Sequence, residues 1–432
     1  MSEKERNDDN TSKSEGKQGH GKRILLRTFG CQMNVRDSEV IGGILNRAGY
    51  TLTEDEEKAD AVIFNTCSVR QHAEEKVWSE IGRIAKRGKH RDSPLFCHGI
   101  ARSGTVPIIG VVGCMANNYR EAIFEKEPKV DFVVGTADIA KIPGILKEIE
   151  KHKGSMLEKK IFETDADFRE DEIYHTGFHL DKEHAFVVIS EGCENYCSYC
   201  VVPYVRGKLR SRGPEDILEE IKGDIAAGIS KITLLGQNVN AYRWLDQNRD
   251  SPLSCHGIAR SGTVPMSSEV NFPCLLKMVN KVKGLKEFSF VTSHPKDTSI
   301  ELFKAIAELD KLKKYLHLPI QSGSDKILKA MNRGYTREFY LNLVDNYRKI
   351  VKGGAITTDI IVGFPGETEK DFQDTYELVK KVQFNAAYIF KYSVRPHTVA
   401  LNLVDDMPKE EKERRHALIL ELQKKISKSK KC

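Results

Sequence analysis

Cys193, Cys197 and Cys200 stand in the run ISEGCENYCSYCVVPYVRG, a C-x3-C-x2-C placed just after an apolar, strand-like stretch. Three thiolates this close can hold three corners of a [4Fe-4S] cube and leave the fourth iron without a protein ligand. An open metal position is where a substrate or cofactor binds. Zinc is the alternative, but structural zinc wants four closed ligands, usually from two separated pairs, and no fourth Cys or His follows at a natural distance.

A second trio is dispersed. Cys31 follows RILLRTFG, Cys67 follows AVIFNT and Cys114 follows IIGVVG, so each thiol sits immediately after a predicted strand. In a parallel sheet the strand C-termini share one edge, and three such positions can converge on one ligand. Three unrelated buried thiols are the competing reading, since a free Cys is often only a small hydrophobe.

The elements that must position these thiols read as α/β throughout. From Lys22 to about Glu150, RILLRTF, AVIFN, PIIGVVG and DFVVG alternate with helical stretches such as DSEVIGGILNRAGY and REAIFEKE, the rhythm of an open, mostly parallel sheet. Residues 151–183 are charged and poorly periodic, as expected of a linker with some extended structure. From His184, AFVVIS, KITLLG, EFSFV, YLHLPI, AITTDIIVG and AAYIFKYS are six candidate strands with helices between, which fits a partial (β/α)6 barrel better than a flat sheet. The chain ends on the helical stretch PKEEKERRHALILELQKKI and then SKSKKC.

With 432 residues the chain can build two or three cores. Its 30% charged and 40% hydrophobic residues are an ordinary balance. No apolar run approaches the roughly 18 residues of a membrane span. Residues 1–21 are polar, lack the apolar centre of a signal peptide and read as a disordered leader. Ten cysteines without a secretory signal argue for a reducing, cytoplasmic setting, with thiols used for metal or catalysis. A net charge of +6 permits a nucleic-acid partner without demanding one.

One internal repeat interrupts the pattern: RDSPLFCHGIARSGTVP at 91–107 and RDSPLSCHGIARSGTVP at 249–265. Cys97, His98, Cys255 and His256 could suggest a metal site. Inserted surface loops are the better reading, because Gly-, Pro- and Ser-rich loops lack the packing that fixes ligands.

Further along, RGKLRSR at 206–212 puts four cations near the cysteine loop, able to hold phosphates or a carboxylate, or else simply solvated. GQNVNAY, TSHP, QSGS and GFPGE each follow a predicted strand, as expected for the ligand-facing mouth of a barrel.

These stretches carry a family resemblance. CENYCSYC resembles the signature of the radical S-adenosylmethionine (SAM) enzymes, and GCQMNVRDSE, NTCSVRQHAEEK and GVVGCMA resemble the N-terminal domain of the methylthiotransferases, in the MiaB-type version that acts on tRNA. The resemblance runs from about Lys22 to about Lys425 outside the repeats. It implies two [4Fe-4S] clusters, one on Cys193, Cys197 and Cys200 that binds and cleaves SAM, the other on Cys31, Cys67 and Cys114 that handles the sulfur to be inserted. It also implies SAM contacts from Gly236, Gln237, Asn238, Ser293, Gln321, Gly363, Pro365 and Gly366. The implied reaction converts N6-isopentenyladenosine beside the tRNA anticodon to its 2-methylthio derivative. A reducing electron donor is required, a monomer is expected, and no membrane is involved. Alternatives are a methylthiotransferase for another modified adenosine or a ribosomal protein, or a non-catalytic iron–sulfur RNA-binding protein. Such enzymes usually end in a small β-barrel RNA-binding module called TRAM; here only SKSKKC follows the last helical stretch, so weakened tRNA binding is the expectation.

Overall fold

The computed structural model describes residues 21–68, 71–87, 107–152, 160–164, 166, 168–245 and 269–430. The leader apart from Gly21, the first repeat copy apart from Pro107 and all of the second copy, with Cys97, His98, Cys255 and His256, lie outside the described residues.

The N-terminal half is a parallel sheet. Strands β1 (Arg23–Thr28), β2 (Thr51–Leu52), β3 (Ala61–Thr66), β4 (Ile108–Gly113), β5 (Phe132–Val134) and β6 (Ile161–Glu163) lie in the order β2-β1-β3-β4-β5-β6. β3 and β4 are buried along their whole length, which is why AVIFNT and IIGVVG read as unbroken apolar runs rather than alternations: central parallel strands are covered on both faces. The covering helices are α1 (Gln32–Arg47), α2 (Gln71–Arg87), α3 (Cys114–Tyr119), α4 (Ala122–Lys126) and α5 (Ile142–His152). β6 falls within the segment expected to be a linker and instead completes the sheet edge against β5.

The second half is a partial barrel of six parallel strands: β7 (His184–Val188), β8 (Lys231–Leu235), β9 (Glu287–Phe290), β10 (Tyr315–His317), β11 (Ala355–Val362) and β12 (Ala386–Lys391). β7, β8 and β9 pair in sequence, as do β10, β11 and β12. The two groups meet where Phe288 N donates to Lys311 O (2.9 Å) and Lys313 N donates to Phe288 O (2.9 Å). Among the described residues no pairing joins β12 back to β7, so the barrel stays open. The intervening helices are α6 (Val202–Arg206), α7 (Pro214–Ala226), α8 (Phe272–Asn280), α9 (Ile300–Glu308), α10 (Asp325–Ala330), α11 (Arg337–Ile350) and α12 (Glu369–Val382), with α13 (Lys409–Ser429) at the end.

α1 packs against β7, so the N-terminal sheet is fastened to the barrel. Buried charges line this junction. Asp37 accepts from Arg169 and from Arg206, each at 2.6 Å. Arg36 reaches Glu220 at 2.9 Å, and Arg212 reaches the same carboxylate at 2.6 Å. RGKLRSR is therefore only partly solvated: Lys208 is exposed, but two of its arginines are not. Arg206 and Arg212 are buried and paired with Asp37 and Glu220, as long charged side chains in an interior must find partners.

Candidate metal centres

The barrel trio sits in one loop between β7 and α6. Gly192 opens it with φ +76°, and a Cβ there would stand 2.0 Å from Lys208 O, so only glycine fits. Cys193 N donates to Gly207 O (3.1 Å), Ser198 N to Met331 O (3.0 Å) and Ser198 Oγ to Ala330 O (2.8 Å), which pins the loop at both ends. Arg333 Nη1 lies 3.3 Å from Cys197 Sγ, and His294 Nε2 lies 3.8 Å from the same sulfur. Burial, with Arg333 and Lys296 nearby, drives the His294 pKa down to about 2, so its ring is neutral beside the thiols. Burial also pushes the Cys200 thiol up to about 12, and Cys197 and Cys193 add to that rise.

The second trio converges at the C-terminal edge of the N-terminal sheet. Cys31 is the N-cap of α1, Cys67 directly follows β3, and Cys114 is the first residue of α3. A clasp of asparagines holds the three segments in register. Asn34 Oδ1 lies 3.4 Å from Cys31 Sγ, while Asn34 Nδ2 donates to Asn65 Oδ1 (3.2 Å) and Thr66 O (3.0 Å). Asn65 Nδ2 donates back to Asn34 O (2.8 Å), and Thr66 Oγ1 donates to Val112 O (2.7 Å) at the end of β4. A hydrogen bond with Cys67, helped by Arg206 and the backbone at Asn34 and Met33, brings the Cys31 thiol down to about 6 against the effect of burial. Burial pushes Cys114 the other way, opposed by Arg206, whose Nε donates to Cys114 Sγ at 3.3 Å.

Both trios suit a cubane. Within each, the thiols perturb one another electrostatically. Among the described residues, however, no three His, Cys, Asp or Glu side chains close around a point as they would for a single ion. A cube ligates each thiolate through a separate iron, so its three sulfurs need not close around one point. In the barrel trio the buried thiols oppose one another's ionisation, and such thiols are groups that a cationic cluster relieves. At Gly30 a Cβ would lie 2.3 Å from Cys67 Cβ and 3.1 Å from its Sγ, so the turn carrying Cys31 can approach Cys67 only without a side chain.

The residues assigned to SAM by resemblance divide into two groups. Gln237 Oε1 accepts from Gly192 N at 2.5 Å, beside Cys193. Asn238 Nδ2 donates to Asp297 Oδ2 (2.6 Å), which also takes Asn195 Nδ2 from the cysteine loop (3.2 Å). Gly236 packs on Ser190, where a Cβ would be 2.4 Å from Oγ. Ser293 hydrogen-bonds His317 O and precedes His294. Gln321 has φ +69°, and its Oε1 is buried without a hydrogen-bond partner, as is Oδ1 of Asn238. Those orphaned acceptors are what a bound polar ligand would satisfy. Gly363, Pro365 and Gly366 belong to a turn braced from outside. Gly363 N donates to Glu367 Oε2 (2.7 Å), Arg415 of α13 binds the same oxygen (2.7 Å), and a Cβ on Gly363 would meet Lys412 Cγ at 2.5 Å. Pro365 is buried, Gly366 is exposed, and the turn reaches the cysteine loop through Phe364, which packs in one cluster with Tyr199.

Several residues of the site carry no pattern in the sequence. Asn34, Asn65, Asp37, Arg169 and Arg333 act across long separations. Asn34, Asp37, Asn65, His294 and Arg206 lie inside the quoted stretches, yet only the fold shows which partner or sulfur each faces.

A parallel sheet feeding a partial six-stranded barrel, with a three-cysteine loop after the first barrel strand, defines a radical SAM protein. The family model of the Radical SAM superfamily matches residues 187–379, and that described as Uncharacterized protein family UPF0004 matches residues 23–135. The fold is similar to that of the radical S-adenosylmethionine methyltransferase TsrM from Kitasatospora setae, at 13% identity and a TM-score of 0.56 over 88% of this chain and 77% of that one. The chain is 42% identical to the tRNA-2-methylthio-N(6)-dimethylallyladenosine synthase of Clostridium novyi (strain NT), over 93% of this chain and 81% of the relative. It is 44% identical to that of Thermoanaerobacter pseudethanolicus, over 93% and 78%. It belongs to the tRNA-2-methylthio-N(6)-dimethylallyladenosine synthase family.

Proposed function

We propose that this chain is a radical SAM methylthiotransferase that converts N6-isopentenyladenosine next to the tRNA anticodon to 2-methylthio-N6-isopentenyladenosine. Cys193, Cys197 and Cys200 hold one [4Fe-4S] cluster, and Cys31, Cys67 and Cys114 hold the other. When bound, the clusters and SAM supply a hydrogen-abstracting radical, the sulfur and the methyl group. The protein's own work is positioning and exclusion of water. Gln237, Asn238 and Gln321 offer polar atoms to SAM beside the cysteine loop. Arg333 and Arg206 each place a guanidinium on a cysteine sulfur and balance thiolate charge.

The observation that carries this reading is α6. It begins two residues after Cys200, packs through Val205 and its N-cap Val201 against Cys114, and ends on Arg206, which donates to that sulfur. One short helix thus couples a radical-generating loop to a second thiol trio, an arrangement that a simple radical SAM hydrogen-abstracting enzyme does not need. The remaining parts of the proposal are a tRNA substrate, a cytoplasmic setting, an external one-electron donor and a monomeric enzyme. Among the described residues, no helix is long and apolar enough to cross a membrane.

The test is mass spectrometry of tRNA nucleosides from cells that lack their own enzyme and express this chain. Appearance of the 2-methylthio nucleoside is expected. Its absence with folded, cluster-loaded protein would overturn the reading.

A further inference from the structure

Beside α6 lies a cavity of about 170 Å³. It is floored by α6 and by the ends of β5 and β6, and flanked by two exposed rings, Phe168 (58% exposed) and Tyr204 (42%). Drug-sized ligands occupy roughly 300–1,000 Å³, so this space suits a phosphate or the edge of one base rather than a whole cofactor.

Its polar lining is under-satisfied. Arg206 is nine-tenths buried, and its Nη1 makes no hydrogen bond; neither do Nε and Nη2 of Arg210. Arg210 Nη1 binds Asp171 Oδ1 (2.7 Å) and Arg206 Nη2 binds Asp37, while the remaining arms face Glu191 only at longer ion-pair distance, 3.6 Å from Arg206 and 3.9 Å from Arg210, and Lys208 adds a third cation. Acceptors are present too: Oδ1 of Asn117 and Oγ1 of Thr164 are buried without a partner. The Arg210 guanidinium lies 5.7 Å from the centre of the Phe168 ring, and Tyr204 stands edge-on to Tyr196 of the cysteine loop at 6.3 Å. Cations with unused donors between exposed aromatic rings are the combination that single-stranded nucleic acid selects, with phosphate on the cations and bases on the rings.

We propose that the cavity between Phe168 and Tyr204 is a subsite for one nucleotide of the RNA strand adjoining the target base. Arg206, Lys208 and Arg210 hold its phosphate, and an exposed ring stacks on its base. The assignment rests on the tRNA reading above and adds to it the surface that fixes the strand's register. Because α6 connects the cavity with both cysteine trios, a nucleotide seated there anchors the strand within reach of the chemistry.

The test is equilibrium tRNA binding by the full, cluster-loaded chain across a salt series, for the native sequence and for F168A, Y204A and R210Q. Loss of one stacking ring is expected to weaken binding about tenfold. Losing the Arg210 cation is expected to lower the slope of log affinity against log salt by about 0.7, the value for one phosphate contact on a single strand. Photocrosslinking the native chain to tRNA carrying 4-thiouridine beside the target adenosine needs no variant to fold, and should label the segments holding Phe168 and Tyr204. Native binding with all three variants within twofold, or crosslinks confined to other segments, overturns the subsite and leaves the enzyme assignment standing. Sulfate protecting this cavity while tRNA binding is indifferent to it identifies a small-anion pocket and overturns the subsite as well. Absence of any tRNA binding by the native chain, together with no 2-methylthio product, overturns both.

Discussion

Cys193, Cys197 and Cys200 share one loop, whereas Cys31, Cys67 and Cys114 come from three separate strand ends and meet only when the sheet is assembled. The first trio is held by local means: a positive-φ glycine, backbone bonds within the loop and a few contacts from α10 and its following turn. The second depends on the register of β1, β3 and β4 and on the Asn34–Asn65 clasp, which bridges 31 residues. A site made by a loop can survive damage elsewhere in the fold. A site made by topology fails with the sheet.

The sharpest way to break this comparison is to remove one thiol from each trio. C193A should abolish SAM cleavage and product formation together. C114A should abolish the methylthiolated product while SAM is still cleaved to 5'-deoxyadenosine, read by chromatography. Equal loss of cleavage in both variants would mean that the trios form one unit.

Next in size is the junction that joins the two halves. Burial would raise the Asp37 carboxyl, but Arg169 and Arg206 outweigh it and hold it below its ordinary value. D37A removes the nearest carboxylate from both buried guanidinium groups, leaving them only the more distant Glu191, and a loss of about 3 kcal/mol is expected in chemical denaturation. A loss under about 1 kcal/mol would show that the halves do not depend on this carboxylate.

Smaller still is the clasp itself. N34A leaves buried partners on Asn65 and Thr66 unsatisfied, at a cost of about 1–3 kcal/mol. It should lower the iron held by the N-terminal trio and spare the barrel trio, as metal analysis of N34A in C193A and C114A backgrounds would show. Equal depletion of both trios would erase the distinction between them.

Much of this was legible from the residues. The unbroken apolar runs AVIFNT and IIGVVG announce central parallel strands, and thiols immediately after them must share the sheet's C-terminal edge. The six barrel strands follow from the same alternation. The edge strands β2 and β6, two and three residues long, are too short to show any period. The clasp and the Asp37 pairs were hidden for a different reason. Their partners lie 31 to 169 residues apart, and polar residues carry no periodic signal that would pair them. RGKLRSR shows the limit well: composition gives the cations, and only packing decides that Arg206 faces a sulfur while Lys208 faces solvent.

The smallest expected effect concerns pH. The His179 side chain, 6% exposed on a half-buried residue, stands beside Asp224 (2.7 Å) and Glu39 (3.6 Å). Burial opposes its charge, but those carboxylates raise its pKa from 6.5 to about 9, against a further opposing push from Arg36. Its contribution is therefore fully present below about pH 6.5 and lost as pH rises through about 9, a change on the order of 1–2 kcal/mol after allowing for solvent screening. Denaturation midpoints of H179Q should lack that slope between pH 6.5 and 9. An unchanged slope would assign it to other groups.

Two complete cubane sites are the central claim, and iron content tests it most directly. Anaerobic reconstitution of the full chain should give about eight irons and eight acid-labile sulfides per chain. A value of about four that no excess of iron and sulfide can raise would contradict it.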